Sequence, residues 1–287
     1  MAKLAFIGLG IMGAPMAAHL LAGGHGLVVH SRTKSRADEL ITRGARWSDS
    51  PQNAAENAQV VFVCVPDTPD VEDVIAGARG IIHAARDGLI VVDHSTISPS
   101  VTQRLAAKLA RRGTALIDAP VSGGDVGAKN ATLSIMCGGE QAAFRNIEPL
   151  LKLMGKNIVH CGPSGAGQLT KLVNQILVSV TNMAVSEALS FAKKCGLDLA
   201  KTIAGVGGGA AGSWQLANLG PKMVAGDFRP GFMIDLQQKD LRLALESAAA
   251  AMAYVPATTL VHRLFQKAQN AGRGRDGTQS LFTVFDA

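Results

Sequence analysis

Three glycines in the stretch FIGLGIMGAPMA, residues 6–17, stand in the spacing G-x-G-x-x-G: Gly8, Gly10 and Gly13. An apolar run precedes them and a helical pattern follows, which suits a turn where a dinucleotide pyrophosphate meets a helix N-terminus. In such a turn Gly8 makes the bend, Gly10 lets the backbone approach the phosphates, and Gly13 lets helix pack on strand, with Ile11 and Met12 between them. Further on, Lys171 and Asn174 lie three apart in GAGQLTKLVNQ and so share a helix face. Moving a hydride onto a carbonyl leaves an oxygen that needs a proton. A partly desolvated lysine can give one, because burial lowers an ammonium's pKa toward neutrality. The plainer alternatives are a signal peptide, with Lys3 ahead of the apolar run, and an ordinary solvated helix lysine.

Two other stretches bear on binding. About twenty residues past the glycines, where an NAD-binding chain carries Asp or Glu for the ribose hydroxyls, this one reads VVHSRTKSR. Arg32 can fork onto a 2′-phosphate that Ser31 and Thr33 can also reach with their hydroxyls, which points to NADP(H); the alternative is a solvated helix start. In DAPVSGG, residues 118–124, the Ser122 hydroxyl and the backbone N–H groups of Gly123 and Gly124 can hold a carboxylate or form an ordinary turn.

These residues need elements to hold them. LAFIGL, LVVHS, AQVVFVCVP, GLIVVDHS, TALIDAP, ATLSIMCGG and NIVHC read as continuous apolar strands separated by helices, hence a parallel sheet covered on both faces. Val65 and Pro66, and likewise Ser95 and Thr96, then end strands at the carboxyl edge, where the nicotinamide half of a cofactor belongs. After HCGPSGAGQ the strand runs stop. A helical pattern over 167–194 follows, with further helices near 198–206, 213–225, 232–253 and 256–271. The expected class is α/β: a Rossmann-type doubly wound sheet over residues 1–162, then an all-α domain over 163–287 for substrate binding and oligomerisation.

FIGLGIMGAPMA, DHSTISPS, DAPVSGG, GAGQLTKLVNQ and PGFMIDLQQKDLRLAL, in this order, resemble one family over nearly the whole chain. It is the β-hydroxyacid dehydrogenases, which include 3-hydroxyisobutyrate dehydrogenase and the tartronate, glyoxylate and succinic semialdehyde reductases. The resemblance implies that Ser122, Gly123 and Gly124 bind a substrate carboxylate, that Lys171 is the general acid and base, and that Asn174 orients the substrate. It also implies cofactor contacts for Thr96 and Lys239, with Asp240 either orienting that lysine or pairing with a nearby cation. Phe232, Ser213 and Trp214 either line the pocket or pack in the core. One departure is Gln175, where some relatives carry a second Asn.

Composition narrows the classes. With 287 residues, 47% of them hydrophobic, the chain can bury a large core in two domains. The apolar stretch 176–192 is interrupted by Ser179, Thr181, Asn182, Ser186, Glu187 and Ser190, so no membrane span is expected. Four scattered cysteines without a C-x-x-C pair fit a reducing cytoplasm. A net charge of +6 with 4% aromatics suits small anions better than nucleic acid. No metal ligands cluster, since His160 and Cys161, like Asp93 and His94, point to opposite faces of a strand. The expected protein is therefore a cytoplasmic NADP(H)-dependent enzyme, and the family resemblance implies a homodimer or homotetramer. It reduces a short carboxylated semialdehyde or glyoxylate to the hydroxyacid, without nucleic-acid or membrane partners. An imine reductase of the same fold and a non-catalytic dinucleotide-sensing module are the rival readings, and Lys171 counts against both.

Overall fold

A computed structural model describes residues 1–286, and the chain divides into two compact units between Lys171 and Leu172. The first unit holds one sheet of nine strands: β1 (Lys3–Ile7), β2 (Gly26–His30), β3 (Arg46–Trp47), β4 (Val60–Val63), β5 (Ile90–Asp93), β6 (Ala115–Asp118), β7 (Val121–Ser122), β8 (Leu133–Gly138) and β9 (Gly155–Gly162). Their spatial order is β3-β2-β1-β4-β5-β6-β8-β7, with β9 paired to β8. From β3 to β6 every pairing is parallel. The order runs outward in both directions from β1, as in a doubly wound fold.

Period-two alternation explains why the central strands are apolar throughout. In β1, Leu4 and Phe6 enter one buried cluster while Ala5 and Ile7 enter the other. Val60 and Phe62 against Val61 and Val63 repeat the division in β4. Successive side chains of a strand point to opposite faces, so a sheet with helices on both sides needs apolar residues at every position. Each such Val, Leu, Ile or Phe contributes about 1.5–3 kcal/mol relative to exposure.

All seven runs expected to be strands are strands. The two missed, β3 and β7, have two residues each and are too short to show periodicity. The expectation of a purely parallel sheet needs one correction, because β8 runs antiparallel to both β6 and β7. Between β6 and β8 the chain forms β7 and the short helix Gly124–Lys129 instead of a long crossover helix.

The second unit is helical. Its longest element, Ala166–Lys194, begins in the first unit and is followed by Leu199–Gly207, Trp214–Asn218, Gly220–Ala225, Ile234–Ala250 and Pro256–Asn270. The single helix expected over 213–225 is two, since Pro221 opens the second; without an N–H it fits a helix start better than an interior. By length and apolarity the 29-residue helix is long enough to cross a membrane. Several of its polar side chains are instead buried and bonded within the unit. Asn182 Nδ2 donates to Thr278 O (2.7 Å), Ser190 Oγ to Phe285 O (2.8 Å) and Ser186 Oγ to Asn182 O (2.8 Å). It is a core helix. Among the described residues the four cysteines form no disulfide.

One buried ring gives the first unit a pH signature. Phe6, Phe62 and His94 form a stack, with the imidazole 5.8 Å from the Phe62 ring at an interplanar angle of 4°. His94 Nδ1 lies 2.7 Å from Ala119 O, and burial pushes the pKa down to about 4. Because the folded pKa lies below the unfolded value of about 6.5, the unfolded chain takes up this proton first. Stability is full above that value and falls as pH drops toward 4. Urea unfolding at pH 7.5 and pH 5 should therefore differ by about 2 kcal/mol on this account, and His94→Phe should remove that part of the difference.

Candidate active site

Five of the parallel strands end at one edge of the sheet, and the chain segments leaving that edge carry most of the residues singled out above. After β1 comes the glycine turn. Gly8 has φ +96°, and a Cβ there would lie 2.2 Å from Cys64 O, while one at Gly13 would lie 1.9 Å from Gly8 O. Neither position admits a side chain. Gly10 differs, because a Cβ there would meet nothing within 4 Å. The helix Gly13–Ala22 starts without a side-chain cap and without an acidic residue in its first turn. Open space in front of a helix N-terminus whose N–H dipoles no side chain answers fits a phosphate group. Ile11 is exposed and Met12 half-buried at this turn.

Beyond β2, Ser31 is buried and Arg32 and Thr33 are exposed. The Arg32 guanidinium, 80% exposed, pairs with Asp70 at 3.0 Å. Asp70 is itself fixed, since its carboxylate accepts from Asp67 N in a capping box on the helix Thr68–Ala76. Lys34 lies over the Trp47 ring. The partnership of Arg32 with Asp70 links residues 38 positions apart and has no local signature in the sequence.

The loop after β5 is held from several sides. Ser95 N donates to Asp93 Oδ1 (2.9 Å), and Ser95 Oγ accepts from Val65 N (2.9 Å), which ties this loop to the Val65-Pro66 segment after β4. Gln168, fully buried, closes the remaining side: Ile97 N donates to its Oε1 (3.0 Å), and its Nε2 donates to Ser95 O (2.8 Å). Between these anchored residues stands Thr96, half-buried. Lys171, 7% exposed, follows Gln168 by one helical turn.

At the end of β6, Asp118 is buried and accepts from Gly165 N (2.8 Å) and Gln168 N (2.9 Å), so its carboxylate caps the long helix. Burial pushes its pKa up, and the backbone N–H groups of Gly165, Gln168 and Gly167 oppose that rise. Ser122 is half-buried, and Gly123 and Gly124 are exposed with φ of +133° and +63°. Backbone in these conformations favours glycine.

Asn174 and Lys239 belong to the second unit. Asn174 Nδ2 donates to Gln175 Oε1 (2.8 Å), and Gln175 Nε2 donates to Asp240 Oδ2 (2.5 Å). Lys239 Nζ lies 2.9 Å from Asp240 Oδ1, with both side chains largely buried. Asp240 thus holds Lys239 on one oxygen and Gln175 on the other. Gln175, noted in the sequence only as a departure, links the amide to the ion pair. Sequence reasoning passed over Gln168, Asp70 and the capping role of Asp118, whose partners are distant along the chain.

A model of the NAD-binding domain of 6-phosphogluconate dehydrogenase matches residues 3–162, and one of the NAD-binding region of NADP-dependent 3-hydroxyisobutyrate dehydrogenase matches residues 165–285. The 2-hydroxy-3-oxopropionate reductase of Escherichia coli is 45% identical over 96% of this chain and 94% of its own length. The NAD-dependent L-serine dehydrogenase of Pseudomonas aeruginosa is 37% identical over 98% of each chain. Among solved structures, 3-hydroxyisobutyrate dehydrogenase of Mycobacterium tuberculosis with L-serine superposes with a TM-score of 0.92, at 31% identity over 100% of both chains. An imine reductase from Pseudomonas sp. covers 99% of both chains at 21% identity and a TM-score of 0.64, a likeness of fold alone.

The glycine geometry separates folding from binding at the turn. Gly8→Ala should lower unfolding free energy by about 3 kcal/mol, because strain at positive φ adds to the clash with Cys64 O. Gly10→Ala should leave the thermal midpoint within about 2 °C, since its Cβ meets nothing, yet weaken dinucleotide binding about tenfold or more by calorimetry.

Proposed function

The chain belongs to the 3-hydroxyisobutyrate dehydrogenase family of β-hydroxyacid dehydrogenases, and on that premise we propose that it is an NADP(H)-dependent reductase of short carboxylated semialdehydes. The observation that carries this reading is a buried lysine, Lys171, on a helix turn bonded to the Thr96 loop at the carboxyl edge of a dinucleotide-binding sheet. The likeness to the Escherichia coli 2-hydroxy-3-oxopropionate reductase supports that semialdehyde as the first substrate to test, ahead of methylmalonate semialdehyde, succinate semialdehyde and glyoxylate.

In this reading Gly8, Gly10, Ile11, Met12 and Gly13 bind the pyrophosphate through backbone N–H groups. Val65, Pro66 and Thr96 border the nicotinamide, which when bound supplies or accepts the hydride. The Ser122 hydroxyl and the N–H groups of Gly123 and Gly124 bind the substrate carboxylate. Lys171 holds a proton on Nζ and passes it to the carbonyl oxygen as charge develops there; in oxidation it takes the hydroxyl proton. For Asn174 and Lys239 the family resemblance alone supports substrate and cofactor roles.

NADP(H) rests on Arg32, with no carboxylate between His30 and Arg36 to receive a ribose diol. An exposed ion pair such as Arg32–Asp70 is worth about 0–1 kcal/mol, whereas a hydrogen bond to a charged phosphate is worth about 1.5–3 kcal/mol. A 2′-phosphate therefore outcompetes Asp70. Self-association as a homodimer or homotetramer belongs to the same proposal. Val173, Leu177 and Phe191 on the long helix are 57%, 63% and 68% exposed, and a row of apolar side chains at helical spacing is suited to burial against a second subunit.

Three measurements test this reading. NADPH oxidation with the four carbonyl compounds should show turnover that falls about 10²- to 10⁴-fold in Lys171→Ala, with NADPH affinity little changed; intact turnover would remove the lysine from the mechanism. Arg32→Ala should cut the preference for NADPH over NADH about tenfold or more. Sedimentation at micromolar concentration should show a dimer or tetramer, and Leu177→Glu should shift it toward monomer.

A further inference from the structure

We propose that Gln168 is a positioning residue that fixes the helix turn carrying Lys171 in register with the loop carrying Thr96. The inference rests on the functional reading above, in which Lys171 moves the proton and Thr96 borders the cofactor. Its observations all lie within the first unit. Gln168 is fully buried and uses both ends of its side-chain amide on the backbone two residues apart in one loop, receiving from Ile97 N at 3.0 Å and donating to Ser95 O at 2.8 Å. A side-chain amide used this way acts like a short piece of strand, holding the backbone on either side of Thr96.

The same residue is held at its main chain. Gln168 N donates to Asp118 Oδ2 at 2.9 Å, and Gly165 N donates to Asp118 Oδ1 at 2.8 Å. At Gly167 a Cβ would fall 2.4 Å from Met136 O and 2.7 Å from Asp118 O, so the helix start lies flush against the strand ends. Asp118 therefore sets where the helix begins, and Gln168 sets how that helix meets the loop. Lys171 follows three residues later on the same face.

Losing the Gln168 side chain would not release the loop. Ser95 keeps its bonds to Asp93 Oδ1 and Val65 N, and His94 keeps Ala119 O. What loosens is the helix turn relative to the loop, and hence the distance from the Lys171 ammonium to the atom it must protonate. A displacement of about 1 Å in such a group can cost roughly 10²-fold in rate.

The test is a double-mutant cycle read in kcat, KM and cofactor affinity. Gln168→Leu keeps the bulk and removes both hydrogen bonds. In the native background it should lower kcat about 10- to 100-fold, with KM for the semialdehyde and Kd for NADPH each within about threefold. Combined with Lys171→Ala it should cost no more than about threefold beyond Lys171→Ala alone, because there is no proton donor left to misplace. Gln168→Met, which also removes both hydrogen bonds but keeps an unbranched side chain of similar length, guards against misfolding of the leucine variant and should show the same selective loss in kcat. Equal losses from Gln168→Leu in both backgrounds, or native kcat in Gln168→Met, would overturn the proposal. Full activity in Lys171→Ala alone would instead overturn the functional reading on which it rests.

Discussion

The long helix must start flush against the carboxyl ends of β6 and β8, and the placement of Gln168 and Lys171 depends on that contact. A helix start leaves backbone N–H groups without intrahelical partners, and burying them unanswered is costly. Asp118 answers two of them with a carboxylate that is itself buried. Such an arrangement is tolerable only as a matched set: the carboxylate needs the N–H groups as much as they need it. The close approach that matching requires leaves no room for a Cβ at Gly167 or at Gly138, where one would meet the Asp118 oxygens at 2.7 Å. Position and polarity are thus fixed by the same contact, and Lys171 inherits both.

Polar side chains decide the character of this helix after it enters the second unit. A 29-residue segment this apolar satisfies the length and composition of a membrane span. Yet its buried face carries Gln175, Ser179, Asn182, Ser186 and Ser190, each bonded to backbone or side chains of its own unit. In hydrocarbon every one of these groups would need such a partner or cost several kcal/mol. Within a globular unit the partners are already there. The same logic places Gln175 between Asn174 and Asp240, where it bonds the ion pair as well as the neighbouring amide.

Legibility in the sequence follows the range of the interaction. Strands of the doubly wound sheet could be read because each alternates between two cores, so a run such as VVFV is apolar at every position. The glycine turn could be read because its causes are local: φ at Gly8, and the approach of Gly13 to Gly8 O five residues away. Gln168 could not be read in the same way. Its two side-chain partners lie 71 and 73 residues back along the chain, and nothing in GAGQLTKLVNQ distinguishes a buried, doubly bonded glutamine from a solvated one. Asp118 was visible only as the first residue of DAPVSGG, where attention goes to the serine and glycines behind it. Short strands escaped for another reason, since two residues cannot display a period of two.

Arg32 shows how a surface contact found in the structure bears on selectivity. Its partner Asp70 has one oxygen committed to the capping box and faces the guanidinium with the other. The pair sets the arginine against Asp70 while four-fifths of the Arg32 side chain stays exposed. Ordering a long side chain in advance reduces the entropy lost when it binds a charged group. An exposed ion pair offsets little of that gain, because its own strength is at most about 1 kcal/mol. On the NADP(H) reading proposed above, Asp70 is therefore too weak a partner to keep Arg32 from a 2′-phosphate.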